Sequence, residues 1–517
     1  MTWRPEVDEL EYRKHLAQQM GGPEGVARQH KRGKLDVRER IALLADPGSF
    51  REWNALTGRG VYDDDKLTAF TPKPSVQGIC ELDGRKVIVT GGDFTVRGGA
   101  GELMQGLGSE PQPQDRALEW RLPYIRLLDA VGGSVRSFEH IGRTYLPDGN
   151  IWSTVEVQLL NTVPVVSAVL GSVAGLPAVQ ACLAHFSLMV KGISQLFPGG
   201  PPVVKAALGY DITKEDLGDE RIHVYKSGVV DNLAENEEEA FKIIRRFLSF
   251  LPDNVWETPP RLEPADNPDR RDEELLSVVP RSTRKPHDAY AILNHVLDRD
   301  SFFEIAPFFG PSRITGLGRV NGYPVGVMIN NPLHLGGATD VSAGEKVIRL
   351  FRLCDTFHLP MVSFADEPGF MVGLDSEKQG IERAGARLVC TVCASKMPWI
   401  TFVLRQVYGV AGQCQHRPTG MYRRYAWPSA NWGSMHIEGG AMAAYRREIE
   451  SAPDSEEKRE ELERRLKAIA SPFRTAEASG TDIIDPRDTR PLLCEFIEEA
   501  QRVLKTQLGP PAIPYYP

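Results

Sequence analysis

An internal duplication constrains the fold of this chain more than any single motif does. Pro164–Gly175 and Pro398–Gly409 share the pattern P-x-[VI]-[ST]-x-V-L-x-x-V-x-G at a separation of 234 residues. Leu122–Asp129 resembles Leu359–Asp366 in the same way, 237 residues further along the chain. Because self-similarity at nearly constant spacing reflects repeated structural units, the sequence predicts two similar halves.

The order of elements within each half indicates an α/β fold. Asp83-Gly84 and Asn321-Gly322 are typical of two-residue hairpin turns, and each precedes an apolar run. Each half then continues with a helical stretch, a buried strand ending at Asp129 or Asp366, another helical stretch, and a strand ending at the repeated glycine. Strands and helices in this order form a sheet with helices packed against it.

A segment rich in proline and charge separates the two halves. Thr258–Glu274 has the composition of a linker. We therefore expect an N-terminal domain at residues 1–260, a linker at 261–285 and a C-terminal domain at 286–517.

Composition and local sequence exclude several classes of protein. The chain has 61 Lys and Arg against 69 Asp and Glu, a net charge of −8, which argues against nucleic-acid binding. Leu159–Val190 carries no charge, but Pro164, Gly171 and Gly175 interrupt it, so we expect a strand, a turn and a core helix instead of a membrane helix. Seven cysteines are too few for a disulfide framework and no signal peptide is recognisable, which predicts a cytoplasmic protein.

The glycine that ends each repeat can aim backbone N–H groups at a ligand. A strand that turns at a glycine directly into a helix leaves the first N–H groups of that helix unpaired. Glycine also lets a substrate approach the backbone closely. Since two N–H groups aimed at one point can stabilise an oxyanion, two such turns predict two oxyanion holes.

Other catalytic motifs are missing from the sequence. There is no G-x-x-x-x-G-K-[ST] phosphate loop, no G-x-S-x-G nucleophile turn and no H-E-x-x-H zinc helix. Cys390 and Cys393 have redox-motif spacing, but they continue an apolar segment and no second pair lies at a suitable distance. We therefore expect buried structural cysteines and no metal site.

Eight short segments, spread along most of the chain, form a recognisable series. They are Arg28–Leu35, Arg38–Ile41, Asp46–Phe50, Asp93–Gly99, Ser227–Val229, Pro368–Gly373, Tyr425–Pro428 and Ile484–Arg490. In this order they resemble the signatures of the carboxyltransferase (β) subunits of biotin-dependent acyl-CoA carboxylases. The chain is identified as a divergent member of the propionyl-CoA and methylcrotonyl-CoA carboxylase β family.

This resemblance implies a fold, an assembly and a reaction. The fold is α/β, with two tandem crotonase-like domains that are each a β-β-α superhelix. The assembly is a homohexameric core, with active sites between the N-terminal domain of one subunit and the C-terminal domain of another. In the family, carboxybiotin releases carbon dioxide, the biotin anion removes a proton from the α-carbon of an acyl-CoA, and the enolate attacks the carbon dioxide. The implied protein is thus the carboxyltransferase subunit of an acyl-CoA carboxylase, a ligase.

Carried over residue by residue, the resemblance places both oxyanion holes at the repeated turns. The hole for the acyl-CoA thioester falls at Gly175 and Leu176, and the hole for the biotin ureido oxygen at Val410 and Ala411. Members of the family usually have a second glycine where this chain has Leu or Val, and both of these residues keep their N–H donors. Pro177 has no N–H, so we expect a reshaped first turn.

Three further residues are expected from the resemblance to bind substrate. Gly132 and Gly133 lie in the loop Asp129–Arg136, where the family usually has Asp-Ser-Gly-Gly-Ala-Arg. Gln413 lies close to the position that lines the acyl pocket and helps set chain length. The departures from the family pattern predict an unusual acyl group, which is bulky, aromatic or functionalised.

The cofactors implied by the resemblance reside on other proteins. The sequence has neither a Met-Lys-Met biotin-attachment motif nor a glycine-rich ATP site. Biotin is therefore expected on a partner biotin carboxyl carrier and ATP on a partner biotin carboxylase subunit, with a CoA thioester as the substrate. The alternatives are a decarboxylase or transcarboxylase of the same fold and a noncatalytic assembly paralogue.

Overall fold

The chain forms two compact units. A computed structural model describes residues 2–100, 110–133, 138–139, 142–144, 150–264, 266–282, 285–417 and 419–517. The first unit comprises Met1–Val255 with Pro514–Pro517, and the second comprises Trp256–Ile513. The segment predicted as a linker lies in the second unit, where Leu275 is buried in the hydrophobic core.

The first unit begins with helices and continues as alternating strands and helices. Its described helices are α1 Arg4–Gln18, α2 Gly22–Lys31, α3 Val37–Leu44, α4 Pro113–Trp120, α5 Asn150–Leu159, α6 Leu176–Cys182, α7 Pro201–Leu208, α8 Lys214–Gly218, α9 Glu220–His223 and α10 Glu237–Leu248. Its described strands are β1 Arg51–Glu52, β2 Gly58–Asp63, β3 Lys66–Pro72, β4 Ser75–Leu82, β5 Arg85–Gly92, β6 Tyr124–Leu128, β7 Val165–Val169, β8 Ser172–Ala174, β9 Phe186–Val190, β10 Gln195–Phe197 and β11 Asn232–Ala234.

A central sheet organises the first unit. Its described strands lie in the order β1-β4-β5-β6-β7-β9-β11, antiparallel from β1 to β5 and parallel from β5 onward. Strands β6, β7 and β9 are buried at every position, as expected of parallel strands covered on both faces. Strands β8 and β10 form a small parallel sheet, and β2 and β3 a hairpin.

The second unit has a similar succession of elements. Its described helices are α11 Ala289–Val296, α12 Val341–Thr356, α13 Leu374–Gln379, α14 Ile381–Ala394, α15 Gly409–Gln413, α16 Ile437–Ala444, α17 Arg446–Glu450, α18 Ser455–Ile469, α19 Pro472–Ser479 and α20 Thr489–Leu504. Its described strands are β12 Phe303–Glu304, β13 Arg313–Val320, β14 Tyr323–Asn330, β15 Met361–Glu367, β16 Trp399–Tyr408, β17 Tyr422–Ala426, β18 Asn431–Gly433 and β19 Asp482–Ile483.

The sheet of the second unit repeats the topology of the first. In the part of the chain that the structure describes, its order is β12-β13-β14-β15-β16-β17-β19, with β18 beside the end of β16. The hairpin strands are antiparallel and the later strands parallel. The sequence prediction of an α/β chain with two similar halves is confirmed.

The two hairpin turns show why the duplicated sequence gives the same backbone. Asp83 and Gly84 have φ values of 53° and 79°, and Asn321 and Gly322 have 49° and 79°. Two consecutive residues with positive φ define the tight hairpin turn that matches the twist of its strands, and Asp-Gly and Asn-Gly favour it. The predicted hairpins are therefore present in both units.

The long uncharged stretch Leu159–Val190 is divided among several buried elements. It contains β7, β8, α6 and β9, as expected from the proline and glycine residues that interrupt it. Among the described residues, no helix is long and apolar enough to cross a membrane.

Candidate active site

In the first unit, the chain turns at Gly175 from β8 into α6. Gly175 has a φ of 68°, a conformation that favours glycine. Its N–H donates to the carbonyl oxygen of Phe197 at 3.3 Å. The Leu176 N–H has no hydrogen-bond partner among the described residues, and Pro177 has no N–H. This turn therefore presents one free N–H beside a second that is held by a long bond.

The loop after β6 closes against this turn through Gly132. A Cβ at Gly132 would lie 2.6 Å from the carbonyl oxygen of Ala174, so a side chain has no room there. A Cβ at Gly133 would meet no atom within 4 Å. The structure thus brings Gly132 against the Gly175 turn but shows no such contact for Gly133. Residues 134–136 of the predicted loop lie outside the described residues.

A buried carboxylate anchors the start of that loop. Asp129 accepts hydrogen bonds from Lys34 Nζ at 2.7 Å, Arg40 Nη1 at 2.9 Å and Gln29 Nε2 at 3.0 Å. Arg40 also pairs through Nε with Glu237 at 2.6 Å, and all five side chains are buried. Burial lowers the pKa of Lys34, although the nearby Asp129 carboxylate opposes that shift. This network fixes the N-terminal helices to the end of β6.

The sequence does not predict that Gln29, Lys34 and Arg40 meet at Asp129. They lie in Arg28–Leu35 and Arg38–Ile41, two of the segments that resemble the family signatures. No local pattern in these segments marks Lys34 and Arg40 as partners of Asp129, which lies 95 and 89 residues away from them.

In the second unit, the equivalent turn lies at Gly409, where β16 ends and α15 begins. Gly409 has a φ of 60°. Within the described ranges, neither the Val410 N–H nor the Ala411 N–H has a partner, as expected in the first turn of a helix. Val410 is 50% exposed. Since α15 has five residues and α6 has seven, the individual N–H groups contribute more than a helix dipole could.

A cavity of about 530 Å³ opens beside the Gly409 turn. Val403, Val407 and Trp432 form its apolar wall, and His416 and Arg424 supply polar groups. Gln413, predicted to bind substrate, lines this cavity and is exposed. The structure therefore places Val410 and Gln413 at one cavity.

The end of β15 carries two buried carboxylates beneath this turn. Asp366 pairs with Arg405 at 2.8 Å. Glu367 pairs with Arg313 and accepts a hydrogen bond from Gln415 Nε2 at 2.9 Å. Because Gln415 lies two residues after the end of α15, this hydrogen bond ties Glu367 to the segment that carries the Gly409 turn.

The prediction of buried structural cysteines at 390 and 393 is wrong. Both residues are exposed on α14, and both are free thiols. The helix buries Ile381, Leu388 and Val392 at helical spacing, so Cys390 and Cys393 fall outside its apolar face. An apolar run was mistaken for a fully buried segment.

One cluster of described residues has a spacing that could hold a metal ion. It consists of His30, Asp36 and Glu39. The side chains of Asp36 and Glu39 already form the capping box of α3, each accepting from the other's backbone N–H. His30 Nε2 lies 2.9 Å from Glu39 Oε2. Helix capping therefore accounts for the cluster.

The chain matches known proteins along most of its length. Residues 28–506 match the family described as the carboxyl transferase domain. The carboxyltransferase subunit of propionyl-CoA carboxylase from Haloferax mediterranei is 36% identical over 513 residues, with 98% of each chain covered. The α subunit of methylmalonyl-CoA decarboxylase from Veillonella parvula is 32% identical, with 91% of each chain covered. The crystal structure of transcarboxylase 12S, a hexamer, has a TM-score of 0.87 at 29% identity and covers 97% of this chain and 96% of its own.

The matches to this family and to these relatives show an enzyme that transfers a carboxyl group to an acyl-CoA. The chain belongs to the carboxyl transferase domain family and is a β-type carboxyltransferase of the biotin-dependent acyl-CoA carboxylases. The predicted family and the predicted pair of crotonase-like domains are confirmed.

Proposed function

We propose that this carboxyltransferase works through two backbone oxyanion holes, one in each unit. Gly175 and Leu176 hold the thioester oxygen of an acyl-CoA, and Val410 and Ala411 hold the ureido oxygen of biotin. The observation that carries this proposal is the recurrence of one strand–glycine–helix turn with unpaired N–H groups in both units. Backbone N–H donors in fixed positions stabilise developing negative charge without reorganising.

The N-terminal turn acts on the acyl-CoA. Loss of a proton from the α-carbon moves negative charge onto the thioester oxygen, and the Leu176 N–H is free to donate to it. The Gly175 N–H can join only by giving up its 3.3 Å bond to Phe197. Gly132 and Gly133 form the adjoining loop and are proposed to contact the same substrate. One well-placed donor of this kind contributes about 10²- to 10³-fold to kcat.

The C-terminal turn suits the ureido oxygen of biotin. Val410 and Ala411 offer two consecutive N–H groups without partners among the residues described, and the exposed Val410 leaves the approach open. When bound, biotin supplies the carboxyl group and the base for the α-proton. The two N–H groups then stabilise the negative charge on the ureido oxygen. Gln413 is proposed to contact the acyl group from the same cavity.

The remaining components are proposed to come from partners. Neither a biotin-attachment motif nor an ATP site is present in the sequence, so a biotin carboxyl carrier and an ATP-dependent biotin carboxylase subunit would supply them. The hexameric transcarboxylase 12S supports a homohexameric core. The seven cysteines form no disulfide among the described residues, which supports a reducing compartment, for which the cytoplasm is the default.

A second candidate function is the reverse reaction, loss of carbon dioxide from a carboxyacyl-CoA. The methylmalonyl-CoA decarboxylase subunit from Veillonella parvula supports it, because that relative matches 91% of this chain. Both directions pass through the same enolate, so both use the same two turns.

Mass-spectrometric turnover distinguishes these directions. The chain is combined with its genomic partner subunits, ATP, labelled bicarbonate and a panel of acyl-CoA and carboxyacyl-CoA thioesters. Label in one acyl-CoA, dependent on ATP, is the expected result. Loss of carbon dioxide from a carboxyacyl-CoA without ATP would support the second candidate instead. If an intact assembly turned over no thioester in the panel, both candidate functions would be contradicted and the noncatalytic alternative favoured.

A further inference from the structure

The cavity beside the Gly409 turn has an unbalanced charge. Arg424 is the one cation on its lining, and no Asp or Glu lines it within the described part of the chain. The rest of the polar lining is neutral and includes Thr401, Gln415 and Thr481. A partly buried cation without a counter-ion favours an anionic ligand.

Strand pairing fixes the position of Arg424 in this cavity. Arg424 lies on β17 opposite Thr401 on β16, and residues opposite each other in a parallel pair project from the same face. Thr401 is buried and Arg424 is partly buried, and both line the cavity. Its neighbour Arg423 is exposed and falls on the other face of the strand.

The hydrogen bonds of Arg424 go to neutral groups. Arg424 Nη1 lies 3.0 Å from His416 Nε2, and Arg424 Nη2 donates to Thr481 Oγ1 at 3.5 Å. No carboxylate of a described residue lies within 4 Å of the guanidinium. Burial, reinforced by Arg424, lowers the pKa of His416 to about 4. His416 is therefore neutral at physiological pH, and its Nε2 accepts from Arg424.

We propose that this cavity holds the far end of the acyl group and that this end carries a carboxylate. The substrate class is then a CoA thioester with a second carboxylate on its acyl chain. Arg424 pairs with that carboxylate, while Val403, Val407 and Trp432 pack against the intervening methylene groups. This assignment rests on the proposed function, since it takes the Gly409 turn as part of the reacting site.

A carboxylate that takes no part in the reaction fits Arg424 better than the carboxyl group carried by biotin. That group leaves as neutral carbon dioxide, so a guanidinium bound to it would stabilise the ground state more than the transition state. A cation that holds a spectator carboxylate stabilises both states equally and costs no rate in the chemical step.

The test compares matched thioesters in the assembled enzyme. Butyryl-CoA and glutaryl-CoA differ by a terminal carboxylate, as do propionyl-CoA and succinyl-CoA. The wild-type enzyme is expected to prefer the carboxylate member of a pair in kcat/KM. In Arg424→Gln, that preference should fall by about 100-fold, because a charged ligand group loses its partner in a partly buried site. Arg423→Gln changes an exposed residue on the other face of the strand and should leave the preference unchanged.

Further measurements keep the test decisive. Arg424→Lys keeps the charge and should retain part of the preference, which separates a lost ion pair from a misfolded site. Calorimetry measures the affinity of the same thioesters even if no turnover is found. Failure of the proposed function and failure of this assignment are therefore distinguishable. A wild-type enzyme without the preference, or an Arg424→Gln enzyme that keeps it, would overturn the assignment. An Arg424→Gln substitution that changed only the KM for biotin, and not the preference between thioesters, would also overturn the assignment.

Discussion

The two repeated turns follow the same backbone route but offer different donors. In the second unit, the N–H groups of Val410 and Ala411 are both unpaired among the described residues. In the first unit, Leu176 alone keeps a free N–H, since Gly175 is bonded to a carbonyl and Pro177 has no N–H. The duplication therefore preserves the backbone shape of the turn more strictly than the number of its free N–H donors.

The buried carboxylates near each turn show the same kind of divergence. Asp129 takes its cations, Lys34 and Arg40, from the N-terminal helical region. Asp366 takes Arg405 from the neighbouring strand β16. In the first unit the position equivalent to Arg405 is Gly171, where a Cβ would lie 2.0 Å from Asp129. The Lys and Arg side chains that pair with the two carboxylates therefore come from different parts of each unit.

The largest expected effect comes from removing the cation that is particular to the first unit. Arg40→Met leaves Glu237 without its cation and Asp129 with one cation fewer, all in a buried region. Breaking a buried ion pair from one side costs about 3–5 kcal/mol. Hydrogen exchange measures this loss unit by unit, and the amides of β6 and β7 should lose protection while those of β15 and β16 keep theirs.

Arg38→Met is the matched control for this change. Arg38 lies on the same helix and pairs with Glu52 in a partly exposed site, so its loss should cost about 1 kcal/mol or less. If Arg38→Met and Arg40→Met were equally mild, the Asp129 network would not stabilise the first unit as described. An equal loss of protection in both units would contradict the separation of their anchors.

The next largest effect is expected from substitutions that remove the free N–H groups, and it tests whether the difference in N–H donors between the turns matters for catalysis. Proline at position 176 or 410 removes an N–H and is tolerated in the first turn of a helix. Val410→Pro leaves Ala411 as a donor, whereas Leu176→Pro leaves no free N–H at its turn. Each is expected to lower kcat by about 10²- to 10³-fold, with the greater loss for Leu176→Pro.

Alanine at the same positions provides the comparison for these variants. Val410→Ala and Leu176→Ala keep the N–H and remove an exposed side chain, so kcat should stay within a few-fold of the wild-type value. Steady-state kinetics on the identified substrate measures all four enzymes. Proline variants as active as the alanine variants would show that these N–H groups do not contact the reacting oxygens.

The parts of this molecule that could be predicted from sequence depend on local or repeated signals. The hairpins follow from Asp83-Gly84 and Asn321-Gly322, and the buried strands follow from apolar runs, since both depend on a few adjacent residues. The position of each glycine turn follows from the repeat itself. The prediction of buried cysteines on α14 is wrong because it depends on the apolar content of the segment and not on its helical period.

The remaining features join residues far apart in sequence. Arg40 meets Asp129 and Glu237 across 89 and 197 residues, and no local pattern encodes those pairings. The contact between Gly132 and Ala174 likewise depends on how two loops fold together at the sheet edge. The charge of the cavity around Arg424 could be recognised only after β16, β17 and α15 were placed side by side.

The smallest effect is expected from a substitution that makes the two turns more alike. Pro177→Ala adds an N–H at the position equivalent to Ala411, in a turn that currently has one free donor. If that N–H faces the thioester oxygen, kcat/KM should rise by up to about tenfold, the equivalent of about 1.4 kcal/mol. The expected rise in kcat/KM is smaller than the contribution of an optimised donor, because the backbone of this turn has the conformation that accommodates proline. Val179→Ala, an exposed change on the same helix, should leave kcat/KM unchanged. A folded Pro177→Ala enzyme with unaltered kcat/KM would show that one N–H is all the first hole uses, and that the two turns have diverged in function as well as in donors.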